Sequence, residues 1–596
     1  MRTTYAIALL IGSMLTAAPP VQAQTNSTSA TSEPYNRMVV FGDSLADGGY
    51  YLTLDPRLAR EAGSFTTNPD PVSPEVLAAR LGLTLTPVYG QGGTNYAVGG
   101  ARVTLANALS IPVATQISNF LAAGGTFGPR DLVYIQGGGN DYFAYQAAGS
   151  TNPAILTTAA TQLAAQVSRL QTAGASRIVT LAVQTGGAAG LQLFNRTYAA
   201  ALASANVNAL YFDTDRLFNE LIASPATYGY TNVTGVACTV PSSLACTRAT
   251  LASPNANETY ILADSVHPAG KTQRIQGQAV ASLVQAPEQI AGLGYAAQAM
   301  FRAQRDLLEG PERGGSQRVG QGLSVFGAAA YRYYSSGNSS QRVGITERGF
   351  SGTAGTDLAI GDASGIGIAA GYSDGTGDLK AGAGSYKPRA WSVSGYARGE
   401  LGPVRLLADG TYGEIDYRRI RRDVQLGPAV RIHDGETDGN YVAGRVTAAF
   451  DLVTRGGVAF GPDMAAQYDR VRLGGYTEAG GSSTAATFGK QEVESLTGRF
   501  GAVVRTVPGE PVRFFARAGY EREFDDDPRT FTITPTGAPI SFTSGVERAD
   551  RNYMSYAMSV DGMIAGALSL RGGVAGYALR DDRDSVTAFA GLSAAF

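Results

Sequence analysis

Met38-Val39-Val40-Phe41 is an apolar run that breaks at Gly42 and then presents Asp43 and Ser44. A serine hydroxyl becomes a useful nucleophile only with a base to take its proton, a group to orient that base, and donors for the oxyanion. Later stretches carry those residue types in order. Asn95-Tyr96-Ala97-Val98-Gly99-Gly100-Ala101 is a glycine turn whose backbone N–H groups can face a ligand. Gly137-Gly138-Gly139-Asn140-Asp141 follows the apolar run Leu132–Ile135, which puts Asn140 at a second strand end. In Asp264-Ser265-Val266-His267 the two-residue gap lets one turn hold a carboxylate against an imidazole. The chain has 2 histidines, His267 and His433, and His433 falls in an expected long polar loop of the second half. A serine–histidine mechanism would therefore have to use His267. Each residue also has a plainer reading. Ser44 could cap a helix and Asn140 could be a turn residue. Asp43, Asp47 and Asp141 read as hydrogen-bonding loop residues.

Positioning such a set requires a sheet. From Met38 to about Val284, strand-like runs such as Asp131–Ile135 and Arg177–Val183 alternate with helical ones such as the alanine-rich 154–173. That alternation predicts a parallel sheet covered on both faces. After Gly322 the pattern changes to period two. Val512, Phe514, Ala516, Ala518 and Tyr520 share one face, opposite Arg513, Arg517 and Glu521. Val404, Leu406, Ala408 and Tyr412 oppose Arg405 and Asp409, and Val586, Ala588, Leu592 and Phe596 repeat the pattern in the last segment. An apolar outside and a charged inside, with short turns alternating with polar excursions near 335–345, 376–388, 418–436, 472–488 and 524–550, predicts a transmembrane β-barrel of about twelve strands.

At 596 residues the chain holds more than one core, and a net charge of -2 gives no basic patch for nucleic acid. Arg2 before the apolar run Tyr5–Ala17 and the small-x-small triplet Val21-Gln22-Ala23 predict an export signal removed after Ala23. No later stretch approaches the roughly 18 unbroken apolar residues of a helical span. Export makes Cys238 and Cys246 a disulfide closing a small loop, with two buried thiols as the alternative. The expected organisation is signal 1–23, lead-in 24–34, passenger 35–285, linker helix 286–319 and barrel 320–596. The helix itself, over 287–309, is rich in Ala, Gln and Leu and is long enough to thread a membrane.

The four ordered blocks resemble the GDSL (SGNH) family of serine hydrolases over about 250 residues. The resemblance implies a flavodoxin-like α/β/α fold and ester hydrolysis without metal or other cofactor. It implies Ser44 as nucleophile, His267 as base and Asp264 as the residue orienting His267. The Ser44 and Gly100 N–H groups and the Asn140 amide would form the oxyanion hole, the choice between Gly99 and Gly100 staying open. Ala46-Asp47-Gly48-Gly49 stands where many relatives carry another serine after the leucine. The joined halves resemble the esterase autotransporters of Gram-negative outer membranes, the EstA-like group. That resemblance implies a passenger shown at the cell surface and a barrel with a helix through its pore. It also implies a monomer that meets an ester or lipid substrate and outer-membrane lipid, and that uses the general export and barrel-assembly machinery. The rival expectations are a surface adhesin or biofilm factor with a weakly active hydrolase-like passenger, and a porin-like channel. No apolar lid segment is visible, and the natural ester and acyl length are left open.

Overall fold

Short runs of Val, Ile and Leu buried on both faces build the parallel sheet of the first half. The computed structural model describes residues 35–54, 58, 61–107, 110–308, 322–338, 343–361, 363–506, 512–525, 527, 529–546, 548, 550–565, 567–580 and 583–596. The signal and lead-in expected over 1–34, and the 309–319 part of the linker, lie outside the described residues. Strands β1 (Arg37–Phe41), β2 (Asp131–Ile135), β3 (Ile178–Leu181) and β4 (Leu210–Phe212) lie parallel in the order β1-β2-β3-β4. Along the other edge of β1, the Val40 N–H donates to the Thr94 carbonyl (3.0 Å) and the Tyr96 N–H to the Val40 carbonyl (2.8 Å). A single bridge there occupies the place of a fifth strand.

The passenger helices are α1 (Ser73–Arg80), α2 (Val113–Ala122), α3 (Gly139–Ala147), α4 (Ala154–Thr172), α5 (Ala189–Ala205), α6 (Thr214–Ala223) and α7 (Gly270–Asp306). Successive strand side chains point to opposite faces. Met38, Val40, Leu132 and Tyr134 therefore join one core with α1, α6 and α7, while Val39, Phe41, Val133 and Ile135 join another with α2, α4 and α5. The result is a three-layer α/β/α domain, as the strand–helix alternation predicts.

Helix α7 differs from the expected one. It starts at Gly270, only three residues beyond His267, and runs unbroken through Pro287 and across 285–286. Proline favours the first turn of a helix, so the sequence suggests a start there. In the structure Leu283, Val284, Ala286 and Ile290 are all buried around it, and that packing offsets the lost N–H bond. The N-terminal part of α7 is thus a layer of the passenger, and its C-terminal part lies inside the barrel.

Among the described residues twelve strands close the barrel. They are Leu323–Ser336, Ile345–Ile360, Ser364–Leu379, Gly384–Leu401, Val404–Leu426, Ala429–Phe450, Val458–Leu473, Gln491–Thr506, Val512–Glu523, Asn552–Ala565, Leu568–Ala578 and Arg583–Ala595. Each pairs antiparallel with its neighbours in the chain, and the last pairs with the first. Val512, Phe514 and Tyr520 face outward while Arg513, Arg517 and Glu521 are buried inside. The polar stretch 418–436 is not a long loop. Val404–Leu426 and Ala429–Phe450 continue pairing to a two-residue turn at 427–428, so His433 lies in a strand. A register shift between Tyr417 and Ile420, with the polar Arg422 and His433 at buried positions, interrupts the alternation by which sequence reveals a strand. Parts of the expected loops 472–488 and 524–550 form a second small sheet from Tyr476–Thr477, Ala486–Phe488, Thr530–Pro535 and Phe542–Gly545. That sheet and its loops hold the passenger. The Asn208 side chain accepts from the Thr543 N–H (2.7 Å) and donates to its carbonyl (2.9 Å). Glu220 accepts from the Ser483 N–H (2.8 Å) and pairs with Arg431 (2.9 Å).

Candidate active site

Strand β1 ends at Phe41, and Gly42 is clamped on both sides by one buried side chain. Gln116 accepts from the Gly42 N–H (2.9 Å) and donates to its carbonyl (2.8 Å). The next residue, Asp43, is buried and accepts from the Gln136 amide (2.8 Å) and the Leu45 N–H (3.1 Å). Burial pushes its carboxyl up to about 6, against the pull of those hydrogen bonds and of His267. The turn so fixed presents Ser44, whose Oγ lies 2.9 Å from Nε2 of His267. Nδ1 of His267 lies 2.9 Å from both carboxylate oxygens of Asp264. Serine, histidine and aspartate form one continuous hydrogen-bonded line, although Ser44 is 223 residues from His267 in the chain.

Asp264 is held by more than the imidazole. Its Oδ1 accepts from the Val266 N–H (2.9 Å) and the His267 N–H (2.8 Å), and its Oδ2 accepts from the Ser243 N–H (2.7 Å). Burial would raise its carboxyl, but the hydrogen bond and charge of His267, with the other donors, hold it well below the usual carboxylate range. Ser243 lies inside the loop closed by the Cys238–Cys246 disulfide. Asn68 fastens that loop by donating to the Ser243 carbonyl (3.1 Å) and the Cys246 carbonyl (3.0 Å). The Phe65 ring lies beside the imidazole with centroids 4.9 Å apart, which limits how His267 can turn.

The glycine turn separates into two roles. The Gly99 N–H is taken by Asp47 Oδ2 (2.8 Å), and a Cβ there would lie 2.2 Å from the Phe65 ring. Gly100 has a φ of 77°, a left-handed conformation that glycine adopts without strain. Among the described residues neither the Ser44 N–H nor the Gly100 N–H has a hydrogen-bond acceptor, so both are available to a ligand. Asn140, in the first turn of α3, donates to the Ala101 carbonyl (3.1 Å), next to Gly100, and one amide hydrogen is left over. Asp141 turns away, bound to Arg102 (2.9 Å) and the Val103 N–H (2.9 Å).

Asp47 carries more of the geometry than its place in the sequence suggests. It is fully buried and accepts from the N–H groups of Gly49 (2.9 Å), Tyr50 (2.7 Å) and Gly99. One carboxylate therefore registers the serine loop against the glycine loop. Burial pushes its carboxyl up to about 6, and pushes nearby Glu75 up to about 7. Gln116, Gln136 and Ser243 have no signal in sequence, because a buried amide or backbone donor is defined only by its partners. His433 is remote from this machinery, buried in the barrel with Nε2 2.9 Å from Thr484 Oγ1.

Residues 38–280 match the model for the GDSL-like lipase/acylhydrolase family, and residues 325–575 match that for the autotransporter β-domain. The chain is 27% identical to esterase EstA of Pseudomonas aeruginosa, over 94% of this chain and 95% of that one. It is 24% identical to lipase 1 of Photorhabdus luminescens, over 92% and 94% of the two chains. The translocator domain of the autotransporter NalP from Neisseria meningitidis covers 51% of this chain with 96% of its own, at 16% identity and a TM-score of 0.40. A closed barrel with an apolar exterior and an autotransporter β-domain sequence belongs in the outer membrane. The α/β/α domain carries a GDSL-like lipase/acylhydrolase sequence and the barrel an autotransporter β-domain sequence, so the chain joins a carboxylic-ester hydrolase domain to an outer-membrane translocator barrel.

Proposed function

We propose that the protein hydrolyses carboxylic esters through an acyl-enzyme on Ser44, at the cell surface. The observation that carries the reading is the line Ser44–His267–Asp264, with two backbone N–H groups beside it that have no acceptor among the described residues. His267 Nε2 takes the hydroxyl proton as Ser44 Oγ bonds to the ester carbonyl carbon. The Ser44 and Gly100 N–H groups and the spare Asn140 amide hydrogen receive the charge that forms on the carbonyl oxygen. As the ester C–O bond breaks, His267 passes its proton to the leaving alcohol, and the acyl group stays on Ser44. A water then gives a proton to His267 and its oxygen to the acyl carbon, and Ser44 leaves with that proton, releasing the acid. Asp264 keeps Nδ1 protonated and steadies the imidazolium. The barrel serves as anchor and export route, assembled by the general export and barrel-assembly machinery.

The test compares three variants of the purified full chain on p-nitrophenyl acetate. Ser44→Ala and His267→Gln each lower kcat by several orders of magnitude, because neither partner works alone. His433→Gln keeps wild-type turnover. Near-normal turnover by folded His267→Gln would overturn the mechanism. Protease added to intact cells removes the activity if the passenger is displayed, and spares it if the passenger faces inward.

A further inference from the structure

The backbone donors and acceptors of Gly99, Gly100 and Ala101 can be accounted for one by one. The Gly99 N–H donates to Asp47 (2.8 Å) and the Ala101 N–H to the Val98 carbonyl (3.2 Å). Each of the three carbonyls accepts from a side chain: Gly99 from the Tyr51 hydroxyl (2.9 Å), Gly100 from Asn107 (3.1 Å) and Ala101 from Asn140 (3.1 Å). Among the described residues the Gly100 N–H alone of these six groups has no partner.

Tyr51 differs from the other two side-chain donors in what it holds. The Gly99 carbonyl and the Gly100 N–H belong to one planar trans peptide and point in opposite directions. Gripping the oxygen therefore aims the N–H. That peptide joins two glycines, so no Cβ resists its rotation. Nor is there room for one at Gly99, where it would lie 2.2 Å from the Phe65 ring and 2.8 Å from the Tyr51 ring. Asp47 does not fix the plane, because the Gly99 N–H belongs to the preceding peptide. Asp47 instead accepts from the Tyr50 N–H (2.7 Å) and so anchors the start of the 3₁₀ turn Tyr50–Thr53 that carries Tyr51. Burial, with Asp47 and Tyr50 nearby, pushes the Tyr51 hydroxyl up to about 12, so it keeps its proton and stays a donor. Its ring meets Phe65 edge-on with centroids 5.9 Å apart, and Phe65 in turn lies against His267.

We propose that Tyr51 is a positioning residue of the oxyanion hole, its hydroxyl holding the Gly99–Gly100 peptide with the N–H toward the forming oxyanion. The proposal rests on the esterase reading of the site. A hydrogen bond accepted at the carbonyl also polarises the peptide and strengthens its N–H as a donor. Both effects count most when negative charge gathers on the substrate oxygen, and little when the neutral ester binds.

The test is Tyr51→Phe in the purified full chain, which deletes the hydroxyl and keeps the ring against Phe65. With p-nitrophenyl acetate kcat falls about tenfold, the order of one net hydrogen bond, and KM is unchanged. The inhibition constant of a trifluoromethyl ketone, which forms an oxyanion-bearing adduct on Ser44, rises by a similar factor. Neither KM nor an inhibition constant depends on the fraction of protein folded. The acid limb of kcat/KM stays in place, because His267 and Asp264 are untouched. Tyr145→Phe, which removes a similar bond to the Ser150 carbonyl (2.6 Å) from the last turn of α3, changes none of these values. A wild-type inhibition constant in Tyr51→Phe overturns the proposal, whatever happens to kcat. A shifted acid limb overturns it too, since Tyr51 would then act through Phe65 on His267. A wild type inert to p-nitrophenyl acetate removes the esterase reading itself, a separate result.

Discussion

Glu75, in the first turn of α1, is a carboxylate held where burial opposes its charge. Its Oε2 accepts from the Val72 N–H (2.9 Å) at the start of α1, yet burial and the neighbouring Asp47 push its carboxyl up to about 7. A carboxyl whose folded value lies above its unfolded one is penalised when charged. Between about pH 4.5 and 7 the unfolded chain has lost this proton and the folded chain has kept it, so stability falls as pH rises through that window. Glu75→Gln keeps an acceptor for Val72 and cannot ionise. The melting temperature of the variant passenger should exceed wild type at pH 8 and match it at pH 5. A difference of the same size at both values would mean that ionisation of Glu75 is not the cause. Asp47 is more deeply buried but has three N–H donors, which is why it can serve as the tie between the two loops.

At the scale of elements, the site is assembled from turns that leave the same sheet, and its acid end depends on a covalent loop. The Cys238–Cys246 loop brings the Ser243 N–H to Asp264, and Asn68 holds the loop from below. With the link open, Asp264 keeps His267 but loses a fixed donor, so its carboxylate can rotate. Cys238→Ser with Cys246→Ser should lower kcat about tenfold with little change in KM, as for an interaction that matters when the imidazolium forms. Mild reduction of the wild type, followed by the same assay, should reproduce the loss, and reoxidation should restore it. A change confined to KM would instead place the loop in substrate binding.

Across the whole molecule, the passenger and barrel share α7 and one continuous apolar core. Ile275 and Ala279 of α7 pack with the passenger, while Leu293, Met300 and Phe301 lie among Tyr417, Tyr441 and Val471 of the barrel. The Phe301 and Tyr441 rings stack with centroids 4.4 Å apart. Further along, Arg302 pairs with Asp469 (2.6 Å), and Arg305 with Asp409 (2.8 Å) and Asp469 (3.1 Å). All four are buried, so removing one partner strands a buried charge inside the barrel, at a cost of roughly 3–5 kcal/mol. Asp469→Leu leaves Arg302 without the carboxylate it pairs with, while Arg305 keeps Asp409. It should lower the temperature at which the barrel becomes heat-modified on a gel and raise pore conductance in planar bilayers. Wild-type values for both would mean that apolar packing alone seats the helix.

Sequence alone determined the order of the parts. Four blocks ending at His267, a period-two second half, and only two histidines pointed to Ser44 and His267 as candidates and to the barrel, because each signal is local: a strand end, an alternation, a count. The tertiary structure decided what local signals cannot carry. Asp47 looked like a loop aspartate until Gly99, 52 residues away, was seen to donate to it, and the same bond separates Gly99 from Gly100. Gln116, Gln136 and Ser243 act through partners far along the chain. Helix α7 crosses Pro287 because buried neighbours outweigh one missing hydrogen bond. The strands through 418–436 persist because cross-strand bonds and the buried Ile420, Val424 and Leu426 hold them, across a register shift that breaks the pattern read along the chain. Propensity and pattern are read along the chain, whereas burial and hydrogen-bond satisfaction exist only once distant segments have met.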